Sequence, residues 1–278
     1  MSIEQILVLA IVQGLTEFLP VSSSGHLILI PAFTGWPDQG IATDIMVHIG
    51  SLFAVLVYFW RDVLNLAGGV VDILRGRVTP HSRMATLIGL ATIPALAFGA
   101  LLKFSGISDM IRGVEVVAYG AIFFGILMYI ADRIGASVKK MEDMTFAPAM
   151  LIGLAQAVAL IPGTSRSGIT MTAARFLGFE RGEAARFSFL LGIPAISAAG
   201  LFTALEATQQ GHAISADAYW AAFFTFFAAL AAIAFLMALV KRTTFLVFVI
   251  YRCALGLLLL AMLNDWFPDY LPSLSGAV

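Results

Sequence analysis

Six segments of the chain each carry close to the ~20 mostly apolar residues needed to cross a bilayer. They run over 40–60, 83–103, 113–132, 184–205, 217–240 and 244–264. Two further apolar stretches, 3–33 and 146–177, are cut near their middles by Pro, Gly and Ser. Half of either stretch is too short to span. Backbone that breaks at membrane depth is tolerated only where protein or a water-filled cavity covers it. The pattern predicts an all-α integral membrane protein with six transmembrane helices plus two re-entrant broken-helix hairpins. Composition agrees: 60% of residues are hydrophobic and 12% charged, against about 25% charged in average soluble chains. A net charge of -1 with no basic tract leaves nucleic acid without a binding surface. The single cysteine, Cys253, cannot close an internal disulfide. The N-terminal MSIEQILVLA has no basic n-region and is not read as a cleaved signal peptide.

Positive charge orients the spans. Arg61, Arg75, Arg77 and Arg83 mark 61–83 as a cytoplasmic loop. Arg133, Lys139 and Lys140, then Arg181 and Arg186, then Lys241 and Arg242, mark three more inside segments. The loop 206–216 and the tail after 264 have no Lys or Arg and read as outside. Lys103 and Arg112 dissent, flanking a short outside loop. Both termini come out external.

Residue n and residue n+143 correspond. QGLTEFLPVSSSG, from Gln13, lies beside QAVALIPGTSRSG, from Gln156, with four identities in thirteen positions. Each copy begins a unit of the same shape, a broken hairpin followed by three spans. Three spans is an odd number, so the second unit is inverted. The expected organisation is a single membrane domain, 1–278, made of a first repeat over 1–132 and a second, inverted repeat over 145–264. In such folds the broken helices meet near the midplane and build the binding site.

The second break, PGTSRSGIT (162–170), describes an oxyanion site. A helix starting near Ser167–Gly168 offers free N–H groups and a positive dipole end. Arg166 adds a fork that matches phosphate oxygens, and Ser165, Ser167 and Thr170 add hydroxyls. In the first break, Gln13 and Glu17 are four apart and share a helix face. A carboxylate there, with a carboxamide beside it, can hold a hard cation such as Mg²⁺ or Ca²⁺. Alternatively, Glu17 pairs with Arg166 as a tie between the repeats. Ser23 offers a hydroxyl nucleophile. His26 can take its proton, activate water or protonate a leaving oxygen. Together these groups point to phosphoryl transfer or phosphate-ester cleavage on a lipid that brings its phosphate into the membrane. Arg252, midway in the last span, either backs the phosphate site or forms a structural ion pair. Asp44 and His48 read as capping and polarity.

QGLTEFLPVSSSGH and PGTSRSGIT closely resemble the two signature segments of the undecaprenyl-diphosphate phosphatases of bacterial inner membranes, the bacitracin-resistance proteins. The first family motif is Glu or Gln, three residues, then Glu, matched by Gln13 and Glu17. The second, PGxSRSxxT, is matched from Pro162 to Thr170. The resemblance covers nearly the whole chain. It implies a hydrolase that removes the terminal phosphate of undecaprenyl diphosphate, recycling the carrier lipid for peptidoglycan synthesis. It implies dependence on Mg²⁺ or Ca²⁺, a site opening to the outer face, and roles for Glu17, Ser23, His26, Ser165, Arg166 and Thr170. Gln13 in place of Glu lowers the carboxylate count of the metal site. Whether Ser23, His26 or water attacks stays open, as does pairing of two copies as a homodimer. The competing class is a transporter of polyprenyl phosphate. It needs the anion cradle but neither nucleophile nor base.

Overall fold

A computed structural model describes residues 1–37, 39–106, 113–209 and 215–266. Among these residues the protein is helical apart from one β-bridge, between Lys139 and Phe179. The first half contains α1 (Ile3–Phe18), α2 (Ser23–Thr34), α3 (Gly40–Tyr58), α4 (Trp60–Leu74), α5 (Pro80–Ser105) and α6 (Val114–Ile134). The second contains α7 (Phe146–Val158), α8 (Arg166–Phe176), α9 (Arg181–Gln209), α10 (Ala216–Leu239) and α11 (Leu246–Leu263). Large apolar side chains such as Phe104, Phe123, Leu201, Phe223 and Ile250 are exposed on its outside. Hydrocarbon is the neighbour that accounts for so much uncovered apolar surface.

Each expected span meets one helix. α5, α6, α9, α10 and α11 are each long and apolar enough to cross. α3 reaches that standard only together with α4, across a bend of 91°. The stretch 61–83, expected as a loop, is therefore mostly helix. Its arginines governed the reading, while the apolar spacing of Leu64, Val70, Val71 and Leu74 is that of a one-sided helix. Arg112, residues 210–214 and the tail 267–278, all used in the charge count, lie outside the described residues.

The helices pair in a mirrored way. α1 packs along α10, and α7 along α5. α1 meets α2 as α7 meets α8, while α3 crosses α9 and α6 runs against α11. Small residues let the backbones approach. A Cβ on Gly14 would stand 2.6 Å from Ala228 Cβ and 2.8 Å from the Ala229 nitrogen. Gly153 of α7 sits closer still to α5, where a Cβ would stand 2.3 Å from the Ala91 carbonyl oxygen. Gly14→Leu should force α1 off α10 and destabilise the fold by about 1–3 kcal/mol. A lowered unfolding midpoint in detergent would register it. An unchanged midpoint would mean that the α1–α10 contact yields freely. The main core lies beneath these crossings, with Phe18 meeting Phe189 edge to face at 5.3 Å and Phe187 and Phe245 fully buried nearby.

Candidate active site

Both helix breaks are built alike. α1 ends at Phe18 before Pro20, and α2 starts at Ser23. α7 ends at Val158, ahead of Pro162, and α8 starts at Arg166. The residue before each second half-helix is a serine in the left-handed half of φ space. Ser22 has φ 79° and ψ 94°, and Ser165 has φ 71° and ψ 117°. Such a conformation costs a non-glycine residue about 1–3 kcal/mol and persists only where surroundings enforce it. Ser22 Oγ lies 3.5 Å from Ser24 Oγ, and Ser165 Oγ 3.2 Å from Ser167 Oγ. Gly163, at φ 85°, lets the second break press on α6, where a Cβ would meet the Val117 carbonyl at 2.5 Å.

Glu17 joins the breaks. Its Oε1 accepts from Arg166 Nη2 at 3.1 Å. Its Oε2 accepts from Ser23 Oγ at 2.8 Å and Gln13 Nε2 at 3.1 Å. His48 Nε2, on α3, stands 3.9 Å from the same oxygen. Glu17 is 7% exposed, so its charge is balanced by protein neighbours more than by solvent. Arg166 Nη1 donates to the Ser188 carbonyl at 3.2 Å, while its buried Nε has no partner. Gln13 Oε1 is likewise buried without a partner.

The remaining second-break residues hold its shape. Ser165 Oγ accepts from the Gly168 nitrogen at 3.1 Å, capping α8. Ser167 is fully buried and donates to the Leu19 carbonyl of the first break at 3.2 Å. Thr170, also fully buried, donates to the Arg166 carbonyl at 2.8 Å and lies 2.6 Å from Ser188 Oγ. These hydroxyls fix the turn that presents Arg166 and the first N–H groups of α8.

His26 faces elsewhere. Its Nδ1 is 2.7 Å from the Ser22 carbonyl and its Nε2 is 2.6 Å from Tyr251 Oη. A carbonyl can only accept, so in the neutral ring Nδ1 carries the proton and Nε2 accepts from the phenol. The rings stack, with centroids 5.8 Å apart.

Three further residues bear on the site, of which the sequence reading names His48 and Arg252 and misses Tyr251. His48 was read as capping, yet it joins the Glu17 cluster. Tyr251 was not singled out. Arg252 was expected either behind the phosphate site or in an ion pair, and among the described residues it has no acidic partner. Fully buried, it donates to the Pro20 carbonyl at 3.2 Å and to the Gly163 and Thr164 carbonyls at 2.9 Å each. It also reaches the Ala121 and Gly120 carbonyls of α6. One guanidinium thus ties both breaks to α6. No residue letter announces a carbonyl acceptor, so only an arginine inside an apolar span hinted at it.

The oxygen donors fit a hard cation sparsely. Glu17 is the carboxylate of the cluster, Gln13 Oε1 is an orphaned acceptor beside it, and Ser23 adds a hydroxyl. No group of three His, Cys, Asp or Glu occurs among the described residues. Such a set suits Mg²⁺, which takes one or two carboxylates and fills its shell with water and phosphate oxygens.

The sequence model of the family described as "Bacitracin resistance protein BacA" matches residues 6–258. The undecaprenyl-diphosphatase of Erythrobacter litoralis is 48% identical over 283 residues, spanning 94% of this chain and 99% of the relative. Proteins of the same name from Ruegeria pomeroyi and Maricaulis maris are each 48% identical over 94% of this chain, and cover 99% and 98% of those relatives. The family match takes in both the buried Gln13–Glu17 pair and the Arg166 turn, which the fold brings into contact, and this chain belongs to the bacitracin resistance protein family.

Proposed function

We propose that this chain is an undecaprenyl-diphosphate phosphatase of a bacterial membrane. It hydrolyses the terminal phosphoanhydride, leaving undecaprenyl phosphate and inorganic phosphate. The carrying observation is the Glu17–Arg166 contact, with the Ser23 hydroxyl on the same carboxylate. A nucleophile, its base and a phosphate-binding cation stand together inside an apolar bundle. A carrier needs the cation and has no use for a hydroxyl aimed at a base, so this arrangement favours the enzyme.

In the reaction, Arg166 and the α8 N–H groups take the diphosphate, with Ser165, Ser167 and Thr170 holding the turn. Glu17 Oε2 receives the Ser23 proton as Oγ, or a water in its place, attacks the terminal phosphorus. The bond from phosphorus to the bridging oxygen breaks, and the lipid monophosphate leaves; where Ser23 Oγ attacked, water then cleaves the phosphoserine ester, restoring the hydroxyl and releasing inorganic phosphate. His26, bonded through both ring nitrogens to the Ser22 carbonyl and Tyr251, stands apart from the Glu17 cluster and would handle a proton only by giving up the Tyr251 contact. A divalent cation, Mg²⁺ by donor count and Ca²⁺ as the alternative, would sit at Glu17 and Gln13 and supply charge neutralisation.

The matching dihedral angles of Ser22 and Ser165, and the mirrored helix pairing, support two inverted repeats, 1–132 and 145–264, entered by re-entrant hairpins among six spans. In the second repeat Gln156 matches Gln13, but Leu160 stands where Glu17 does. One repeat therefore supplies the base and the other the cation. The charge pattern supports an inner-membrane site that opens outward, with both termini outside.

Phosphate release from a polyprenyl diphosphate by purified protein tests the proposal. Release that requires Mg²⁺ or Ca²⁺ and stops with chelator is expected. Release unaffected by chelator would remove the cation from the scheme. Tyr251→Phe loses one hydrogen bond and keeps the stacked ring. At a net 0.5–1.5 kcal/mol, it should slow release about two- to tenfold and reshape the pH profile. An unchanged rate and profile would leave His26 independent of Tyr251.

A further inference from the structure

α4 has a face placed to meet lipid and not protein. Trp60, Leu64, Ala67, Val70, Val71 and Leu74 share one face, while Arg61, Asn65 and Asp72 share the other. It packs on α5 and, at its start, meets α3. Gly69 lies against the His81 carbonyl, and Asp62 pairs with Arg186 of α9. The apolar face is left open, with Trp60 at 54%, Leu64 at 61%, Val70 at 50% and Leu74 at 81% exposed. α4 leaves α3 at 91°, a turn that suits an amphipathic helix lying in the membrane interface beside a span.

Behind α4 is an open groove of about 420 Å³, lined by Ile73, Arg77, Val78, Arg83, Leu87 and Phe146 among others. Its walls are apolar and its rim is basic. Arg77 is exposed and has no side-chain partner among the described residues. Arg83 spends one contact on the Met144 carbonyl, at 3.3 Å. Of the two acids in 61–83, Asp62 is neutralised by Arg186, and Asp72 accepts from the Thr79 hydroxyl at 2.8 Å. The local balance is positive. Free phosphate would leave the apolar walls unused, and a neutral lipid would leave the arginines unused. We propose that this groove binds an anionic phospholipid, its phosphate on Arg77 and Arg83 and an acyl chain along Val78, Leu87 and Phe146. Juxtamembrane basic residues attract anionic lipid in this way. The site is separate from the Glu17–Arg166 cluster, and the proposal stands whatever reaction that cluster performs.

Native mass spectrometry of the full chain in detergent tests it. Phosphatidylglycerol and phosphatidylcholine of the same acyl chains are titrated separately. Wild type should retain one phosphatidylglycerol at concentrations where phosphatidylcholine does not bind. Arg77→Gln/Arg83→Gln should weaken retention about tenfold or more. Lys241→Gln/Arg242→Gln, which removes two exposed charges away from the groove, should leave it within about twofold. Arg77→Gln alone covers the case in which the double variant fails to fold, since that side chain has no partner among the described residues. Equal losses in the two multiple variants would mean general charge attraction, and would overturn the site. So would equal retention of both lipids, or displacement of phosphatidylglycerol by millimolar inorganic phosphate alone.

Discussion

Glu17→Gln is expected to lower phosphate release from a polyprenyl diphosphate by about 10³-fold, within the range for loss of a positioned base. Glutamine keeps the size of the side chain and can still meet Gln13 and Ser23. It cannot take the Ser23 proton, it offers Arg166 no charge, and it is a weaker cation ligand. The loss should fall on kcat, because the diphosphate is still gripped by Arg166 and the α8 N–H groups. Single-turnover release by folded, monodisperse variant measures it. A rate within tenfold of wild type would take Glu17 out of the chemistry and leave it as the tie between the breaks.

Arg252→Met is expected to be the most damaging change outside the cluster. Methionine fills similar volume but donates nothing. The carbonyls of Pro20, Gly163 and Thr164 would lose their donor inside the bundle. At about 1–3 kcal/mol for each orphaned buried acceptor, the fold should lose about 3 kcal/mol or more. Activity should fall with it, because strained serines at 22 and 165 keep their shape only while their surroundings enforce it. Arg252→Lys, with one ammonium in place of a planar fork, should recover part of the stability and little of the activity. A thermal midpoint for Arg252→Met equal to wild type would show that the breaks hold themselves.

The halves of the site were legible in the sequence for different reasons. Gln13 and Glu17 announced themselves by helical spacing, and Arg166 by its cost inside hydrocarbon. The offset of 143 placed Ser22 beside Ser165, and the two adopt the same unusual backbone. His48 was hidden because spacing to Asp44 explained it locally, while its Glu17 neighbour lies on another helix. Arg252 was visible as a charge in a span, but its acceptors are backbone carbonyls, which carry no side-chain signature. α4 was hidden by the arginines in and after it, since 61–83 reads as a loop from charge alone and the apolar periodicity of Leu64, Val71 and Leu74 does not enter that count.

The central claim is that residues from both breaks form one reaction centre, and a double-mutant cycle measures that directly. Single-turnover phosphate release is compared in wild type, Glu17→Gln, Arg166→Ala and the double variant. Groups that act as a unit give grossly non-additive losses. The double variant should release phosphate within about fivefold of the slower single variant. Losses that multiply would mean that Glu17 and Arg166 act independently, and would contradict a single site built from the two breaks.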